Sequence, residues 1–177
     1  MLVRAIKSWP GVVDVVVARD QVAAYFDSDP IDSTIDAAIA QLSVLHATAE
    51  PGRSVELRTV YDGEDLAAVA SASGLTIDEV VRRHAAATYT VETMGFAPGF
   101  AYMTGLDPQL VLPRRATPRT RVPAGSIAVA GEHTAVYPFD SPGGWHLVGR
   151  VVGVKMFGDD GALLRLGDRV RFVGEPA

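Results

Sequence analysis

The sequence predicts an α+β fold in which a small mixed domain precedes an antiparallel β-barrel. The first third alternates short β-prone runs with one helical period. From Thr88 onward, β-prone runs are broken by Pro and Gly and no long helical period is present, which is typical of a small barrel. The 177 residues, 48% of them hydrophobic, suffice for one fair-sized core or two small ones.

The predicted first domain covers residues 1–62. Its strand, strand, helix, strand order suits a small ferredoxin-like sheet that lacks its usual first strand. The segments behind this prediction are a helical stub (1–7), a hairpin (12–18 and 21–26), an amphipathic helix (35–46) and a strand (55–61).

A helical connector is predicted over residues 63–87. Two helices, 65–72 and 77–86, are separated by Gly74, and Thr76 with Glu79 forms a capping box. The barrel is predicted over residues 88–177. Its expected strands are 89–94, 126–130, 134–137, 145–156 (read as two strands) and 168–173.

Composition excludes several classes of function. The net charge of -5 argues against a nucleic-acid binder, because affinity for phosphate backbones needs a broad positive face. No apolar run approaches the roughly 20 residues of a membrane span, and no signal peptide is evident, so a cytoplasmic protein is expected. Cysteine is absent and the four histidines lack metal-ligand spacing, so no metal site is predicted.

Three segments of the second half are unusual for a generic barrel. Residues 95–102 alternate aromatics with Gly and Pro, which could wall a pocket or plug the barrel. Residues 113–126 hold four arginines and three prolines. Residues 141–146, Ser-Pro-Gly-Gly-Trp-His, form a tight turn that could present backbone N–H groups to an anion or could be an ordinary hairpin.

The arginines at 114, 115, 119 and 121 favour recognition of a phosphate or carboxylate. Arginine pairs bidentately with such groups, and prolines reduce the entropy that the loop loses on binding. A solvated loop is the alternative.

Standard catalytic signatures are absent: the sequence has no phosphate-binding P-loop, nucleophile elbow or H-E-x-x-H motif. His84 and His133 are candidates for proton transfer, with a structural role as the alternative for each. Lys155 lies in a Val-Lys-Met sequence that lacks the leading Met of a biotin-attachment site, so no biotin is expected on this chain.

Together, residues 95–102, 113–126 and 141–150 closely resemble the carboxyltransferase subdomain C and D family, which includes the smaller subunit of 5-oxoprolinases (also labelled allophanate hydrolase subunit 1) and a sporulation-kinase inhibitor. The resemblance implies a ferredoxin-like domain followed by a cyclophilin-like barrel. It implies a heteromer with a larger carboxyltransferase-like subunit, and a third lactam-hydrolysing protein. It also implies an ATP-dependent hydrolase acting on a cyclic amide, with Mg²⁺ expected and the nucleotide bound mainly by the partner.

The resemblance also implies a set of site residues. The implied catalytic residues are His84, Arg119, Arg121 and Ser141. The implied substrate- or nucleotide-binding residues are Thr88, Tyr89, Phe96, Pro98, Gly99, Phe100, Tyr102, Arg115, His133, Tyr137, Gly143, Gly144 and Trp145.

The sequence departs from the family pattern at two places. His133 stands where relatives usually carry Gln, which alters hydrogen bonding in the expected pocket. The N-terminus is shorter than is typical, so either the first domain is incomplete or the true start lies upstream.

Two alternative functions stay open. One is a urea- or allophanate-type carboxyl-transfer or hydrolase subunit, and the other is a binding module that inhibits a histidine kinase.

Overall fold

The computed structural model describes residues 2–17, 22–29, 35–36 and 52–174. The chain divides into two compact units, Met1–Pro51 and Gly52–Ala177. Within the described residues, no helix has the length and apolar character needed to cross a lipid bilayer.

The first unit begins with a helix and a hairpin. Helix α1 (Leu2–Lys7) precedes strands β1 (Val12–Val17) and β2 (Val22–Phe26), which pair antiparallel. The predicted helical stub and hairpin are thereby confirmed. The helix predicted over residues 35–46 lies almost entirely outside the described residues, so the ferredoxin-like arrangement stays a prediction.

The second unit combines short strands with two helices. In chain order its elements are β3 (Ser54–Val60), α2 (Leu66–Ser73), α3 (Ile77–Ala86), β4 (Tyr89–Met94), β5 (Ala101–Thr104), a 3-10 turn (Pro108–Leu110), β6 (Arg119–Val122), β7 (Ser126–Ala130), β8 (His133–Val136), β9 (Ser141–Gly143), β10 (His146–Val151), β11 (Phe157–Gly158), β12 (Gly161–Ala162) and β13 (Arg169–Gly174).

Seven of these strands close into a barrel in the order β10, β3, β13, β4, β5, β8, β7, with β7 returning to β10. Closure pairs every strand edge of the sheet, so no row of backbone donors and acceptors is left open. The predicted barrel is confirmed. Its pairings are antiparallel except that of β3 with β13, which is parallel.

Strand β3 is the segment that the sequence assigned to the first domain, and that assignment is wrong. β3 pairs with β13, placing Leu57 opposite Phe172, and with β10, placing Val60 opposite Arg150. Leu57 and Thr59 are buried, at 1% and 0% exposure, in the alternating pattern of a barrel wall. Without β3, the facing edges of β10 and β13 would both be unpaired.

Helices α2 and α3 follow the predicted bounds to within a residue. Leu66, Val69 and Val80 belong to the same apolar cluster as the barrel interior, so the helices pack on the barrel. Gly74 ends α2 in a left-handed conformation with φ 67. The Thr76 side chain accepts from the Glu79 amide at 3.2 Å and the Glu79 carboxylate accepts from the Thr76 amide at 2.8 Å, which confirms the capping box.

Four predicted strands correspond to β4, β7, β8 and β13. The run 145–156 contains β10 alone, so the second strand predicted there is wrong. Gly153 has φ 76, a left-handed conformation that interrupts an extended chain. Strands β5, β6, β9, β11 and β12 lie in segments for which no strand is predicted from the sequence.

Both faces of β7 are buried, so this strand separates two apolar clusters. Ile127 and Val129 face the barrel interior, while Ala128 and Ala130 face outward. Ala135 of β8 lies opposite Ala128 and shares that outward face. The outer cluster positions the candidate site.

Candidate functional site

A cavity of about 150 Å³ lies beside the outer apolar cluster. The three segments that carried the family resemblance all contribute to its walls, although they are separated in sequence. The lining residues are Phe96, Phe100, Tyr102, Arg114, Tyr137, Pro142, Gly143, Gly144 and Trp145. Seven of the thirteen implied binding residues are among them: Phe96, Phe100, Tyr102, Tyr137, Gly143, Gly144 and Trp145.

The turn 95–100 forms one side of the cavity. The Gly95 amide donates to the Phe100 carbonyl at 3.1 Å, which closes the turn. Gly99 has φ 78, and a Cβ there would lie 2.9 Å from the Met156 carbonyl oxygen, so glycine is required. Phe96 also has a positive φ, at 70, although it is bulky and its side chain is 63% exposed. Such a conformation costs on the order of 1 kcal/mol and is typical of functional sites.

The aromatic cluster (Phe96, Phe100, Tyr102, Tyr137 and Trp145) forms the floor and walls. Phe100 lies at its centre, with ring centroids 4.9 Å from Tyr102, 5.3 Å from Tyr137 and 5.7 Å from Trp145 in edge-to-face arrangements. Phe96 covers Phe100 at 5.2 Å. The rings fit because the strand residues facing them are small: Ala128, Ala130 and Ala135.

Gly143 allows the turn 141–146 to approach Tyr137. A Cβ at Gly143 would collide with the Tyr137 hydroxyl and would lie 2.8 Å from its Cζ. Burial raises the pKa of Tyr137, an effect that a hydrogen bond from the Trp145 backbone opposes without cancelling. The phenol therefore stays protonated near neutral pH and can donate or accept a hydrogen bond.

Two of the predicted anion-binding arginines are paired with a buried carboxylate. Asp65, which is 3% exposed, accepts from Arg115 Nη1 at 2.7 Å, from Arg119 Nη2 at 2.8 Å and from the Leu147 amide at 2.7 Å. Arg119 Nε also lies 2.6 Å from Glu64. Burial would raise the pKa of Asp65, but the bonds from Arg119 and Leu147 and the two positive charges lower it overall.

Arg115 and Arg119 consequently do not line the cavity, and their expected role as free phosphate contacts is corrected. A guanidinium held by a buried carboxylate is already neutralised. Asp65 was missed because nothing in its local sequence, other than its place before α2, connects it to a loop 50 residues away.

Arg121 and Ser141 also lie outside the cavity lining. Arg121 forms an exposed ion pair with Asp140 at 2.6 Å, and Asp140 accepts a further bond from the Ala124 amide at 2.8 Å. Ser141 begins β9, where it pairs with Val122. Both residues belong to the two-stranded antiparallel sheet formed by β6 and β9.

Arg114 differs from its neighbours in the loop. It is exposed, and among the described residues it has no carboxylate partner, yet it lines the cavity. Its charge acts on the Tyr137 hydroxyl, favouring the ionised phenol against the effect of burial on the pKa. Arg114 is not among the site residues that the family resemblance implies, and its local sequence does not distinguish it from the other three arginines.

His84 belongs to the barrel interior. It is 0% exposed, and burial lowers its pKa to about 3. The Thr134 hydroxyl donates to the Ala128 carbonyl, so it accepts from His84 Nε2–H at 3.0 Å, while Nδ1 accepts from Tyr61 at 2.8 Å. The ring is a neutral core residue, which corrects its expected catalytic role.

Tyr89 shares that interior location, since its hydroxyl donates to the His84 carbonyl at 2.8 Å. Thr88 and Pro98 are exposed and do not line the cavity. His133 is the first residue of barrel strand β8, with Nε2 3.3 Å from Glu92 and its ring 6.0 Å from that of Tyr102. It supports a wall residue without lining the cavity itself.

Comparisons with known proteins agree with the family resemblance of the three segments that meet at the cavity. The sequence matches the family model described as carboxyltransferase domain, subdomain C and D, over residues 1–162. The chain belongs to this family.

A Haemophilus influenzae protein named as a 5-oxoprolinase subunit is 37% identical to this carboxyltransferase C and D chain over 182 residues, covering 97% of the chain and 84% of that protein. An Escherichia coli O157:H7 protein of the same name is 46% identical over 127 residues. The match covers 68% of this chain and 58% of that protein. The crystal structure of TTHA0988 has a TM-score of 0.80 at 38% identity and covers 99% of this chain. The chain spans only 36% of that longer protein.

In this carboxyltransferase C and D domain, the cavity can hold a small ring against aromatic faces and an anionic group against one guanidinium. Among the residues that the structure describes, its lining contains no carboxylate and no evident nucleophile other than the phenols of Tyr102 and Tyr137. The arrangement is suited to binding and orienting a ligand.

Proposed function

We propose that this chain is the smaller subunit of an ATP-dependent 5-oxoprolinase and that its aromatic cavity holds the cyclic amide. The observation that carries the proposal is the 37% identity, along 97% of the chain, to a protein named as a subunit of that enzyme. The meeting of three family motifs at one cavity supports it. The product of the proposed reaction is glutamate, formed by opening of the lactam ring.

The cavity suits a five-membered lactam in size and polarity. Ligand sites for larger molecules commonly occupy about 300 to 1,000 Å³, whereas this cavity measures about 150 Å³. The more accessible rings of Phe96 and Tyr102 can pack on the lactam, and the Tyr137 hydroxyl can hydrogen-bond to one of its polar atoms. The chain's own contribution is to hold the amide and exclude water from one side of it.

The same cavity does not fit ATP with its magnesium. A triphosphate needs several cations, and Mg²⁺ prefers carboxylate oxygens, but the described residues of the lining offer one guanidinium and no carboxylate. Among the described residues, no group of three or more His, Asp or Glu is arranged to hold a metal ion. We therefore place nucleotide and Mg²⁺ mainly on the larger subunit.

The proposal includes a heteromer in which the chain is active only with that larger carboxyltransferase-like subunit. A third, lactam-hydrolysing protein completes the reaction. We further propose that the barrel is of the cyclophilin type and that the first unit is a ferredoxin-like domain ending before β3. Carboxyl transfer to urea-like substrates and kinase inhibition are favoured by no feature of the described residues.

The test is phosphate release from ATP by this chain co-expressed with the larger subunit, with and without 5-oxoproline. We expect release that depends on 5-oxoproline, and no release from either subunit alone. A stable complex without 5-oxoproline-dependent release would contradict the function, and turnover by the single chain would contradict the requirement for a partner.

A further inference from the structure

The backbone on both sides of Arg114 is held in place. His146 Nε2 donates to the Pro113 carbonyl at 2.9 Å, and the Arg115 amide donates to the Gly144 carbonyl at 2.8 Å. The Arg115 side chain is anchored in turn by Asp65 at 2.7 Å. Arg114 is thus carried by a loop that is fixed against the wall 144–146, so less ordering is needed when it binds a ligand.

Charge pairing in this loop is selective. The other three arginines are each engaged by carboxylates, Arg115 and Arg119 through Asp65 and Arg121 through Asp140. Arg114 lines the aromatic cavity and has no carboxylate partner within the part of the chain that the structure describes. Its guanidinium is therefore available to a ligand while its neighbours serve the fold.

We infer that Arg114 binds the carboxylate of a small cyclic ligand whose ring packs on the aromatic cluster. This deepens the proposed function, on which it rests, by assigning recognition of the carboxylate of the substrate to Arg114. A neutral amide of the same ring size leaves Arg114 without its partner and is bound more weakly. Urea-like neutral substrates are disfavoured for the same reason.

The experiment compares 5-oxoproline with 2-pyrrolidinone, the same lactam without its carboxylate, in the complex with the larger subunit. Binding is measured by equilibrium dialysis, which requires no turnover, with inorganic phosphate as a competitor. The variants are Arg114→Gln and, as a control, Arg171→Gln, which removes an exposed arginine that pairs with Glu56 and does not line the cavity. A charge-assisted bond of ordinary strength gives 5-oxoproline a roughly tenfold to hundredfold preference in the unmodified protein.

We expect Arg114→Gln to abolish this preference and Arg171→Gln to retain it. An unchanged preference in Arg114→Gln overturns the inference, as does binding of phosphate with no binding of 5-oxoproline. The KM for 5-oxoproline-dependent phosphate release should rise by the same factor in Arg114→Gln. Normal turnover with an unchanged KM defeats this inference alone, whereas carboxylate-selective binding without turnover defeats the proposed function alone.

Discussion

Asp65 Oδ1 accepts a hydrogen bond from Arg119 Nη2 at 2.8 Å in a site where the Asp65 side chain is almost fully buried. The same oxygen accepts from Arg115, and Oδ2 accepts from the Leu147 amide. One carboxylate therefore ties the start of α2 to the arginine loop and to β10. It also removes two cations from those available to a ligand.

Asp65→Asn should destabilise the protein by about 3 kcal/mol, because it leaves two partly buried guanidinium groups without their counter-charge. Asp140→Asn is the control, since its pair with Arg121 is exposed and should cost less than about 1 kcal/mol. Urea unfolding at pH 7 measures both. Equal losses in the two variants would show that the Asp65 network does not hold the loop.

His84 should make the protein less stable in mild acid. The folded state keeps the ring neutral down to its pKa of about 3, while an unfolded histidine takes up a proton below about pH 6.5. Because the unfolded state then binds more protons, stability is lost as the pH falls from about 6.5 towards 3, by up to about 1.4 kcal/mol per pH unit.

Urea unfolding between pH 7 and pH 4.5 measures this loss, and His84→Gln should flatten the curve. If that variant does not fold, the NMR resonances of the His84 ring in the unmodified protein provide the answer. They should not move between pH 5 and pH 8. Titration of the ring near neutrality would restore His84 as a candidate for proton transfer.

Gly143→Ala should distort the cavity, because the added Cβ collides with the Tyr137 hydroxyl inside a packed cluster. We expect a loss of about 1 to 3 kcal/mol and weaker binding of 5-oxoproline. Gly158→Ala is the control, since a Cβ there meets nothing within 4 Å. Adding Tyr137→Phe to Gly143→Ala should recover part of the lost stability, and a failure to recover any would locate the strain elsewhere.

Phe96→Gly should weaken ligand binding while changing the stability of the protein only slightly. Glycine adopts the φ of 70 without strain, and this relief of about 1 kcal/mol offsets the lost packing on Phe100. The free energy of unfolding should therefore fall by less than about 1 kcal/mol, while binding of 5-oxoproline weakens. Phe139→Gly, at a residue with an ordinary φ, should lower the free energy of unfolding by more than Phe96→Gly does and should leave binding of 5-oxoproline unchanged. A larger loss of stability in Phe96→Gly, with no loss of binding, would contradict the role of Phe96 in the cavity.

Local sequence patterns predicted much of the fold. The capping box of Thr76, the stop at Gly74 and the β-prone runs of β4, β7, β8 and β13 all depend on neighbouring residues, and all are found. β3 was predicted as a strand but placed in the wrong sheet. Its parallel partner β13 lies more than 110 residues away, and no local pattern distinguishes one distant edge from another.

For the candidate site too, the features that depend on local sequence were predictable and those that depend on distant contacts were not. Aromatic, Gly and Pro residues in 95–102 and 141–146 indicated a pocket wall, and the structure joins them in one cavity. The roles of the arginines were not predictable, because they depend on which carboxylate each guanidinium meets after folding. Asp65 and Asp140 made that selection at separations of 50 and 19 residues.

By itself the sequence determined the family, the barrel character of the second half and the segments that wall the cavity, since these follow from short motifs and local periodicity. Only the tertiary structure decided that β3 closes the barrel, that His84 is a core residue and that Arg114 is the loop arginine facing the cavity. The physical reason is that strand pairing, burial and charge neutralisation depend on residues brought together from distant parts of the chain.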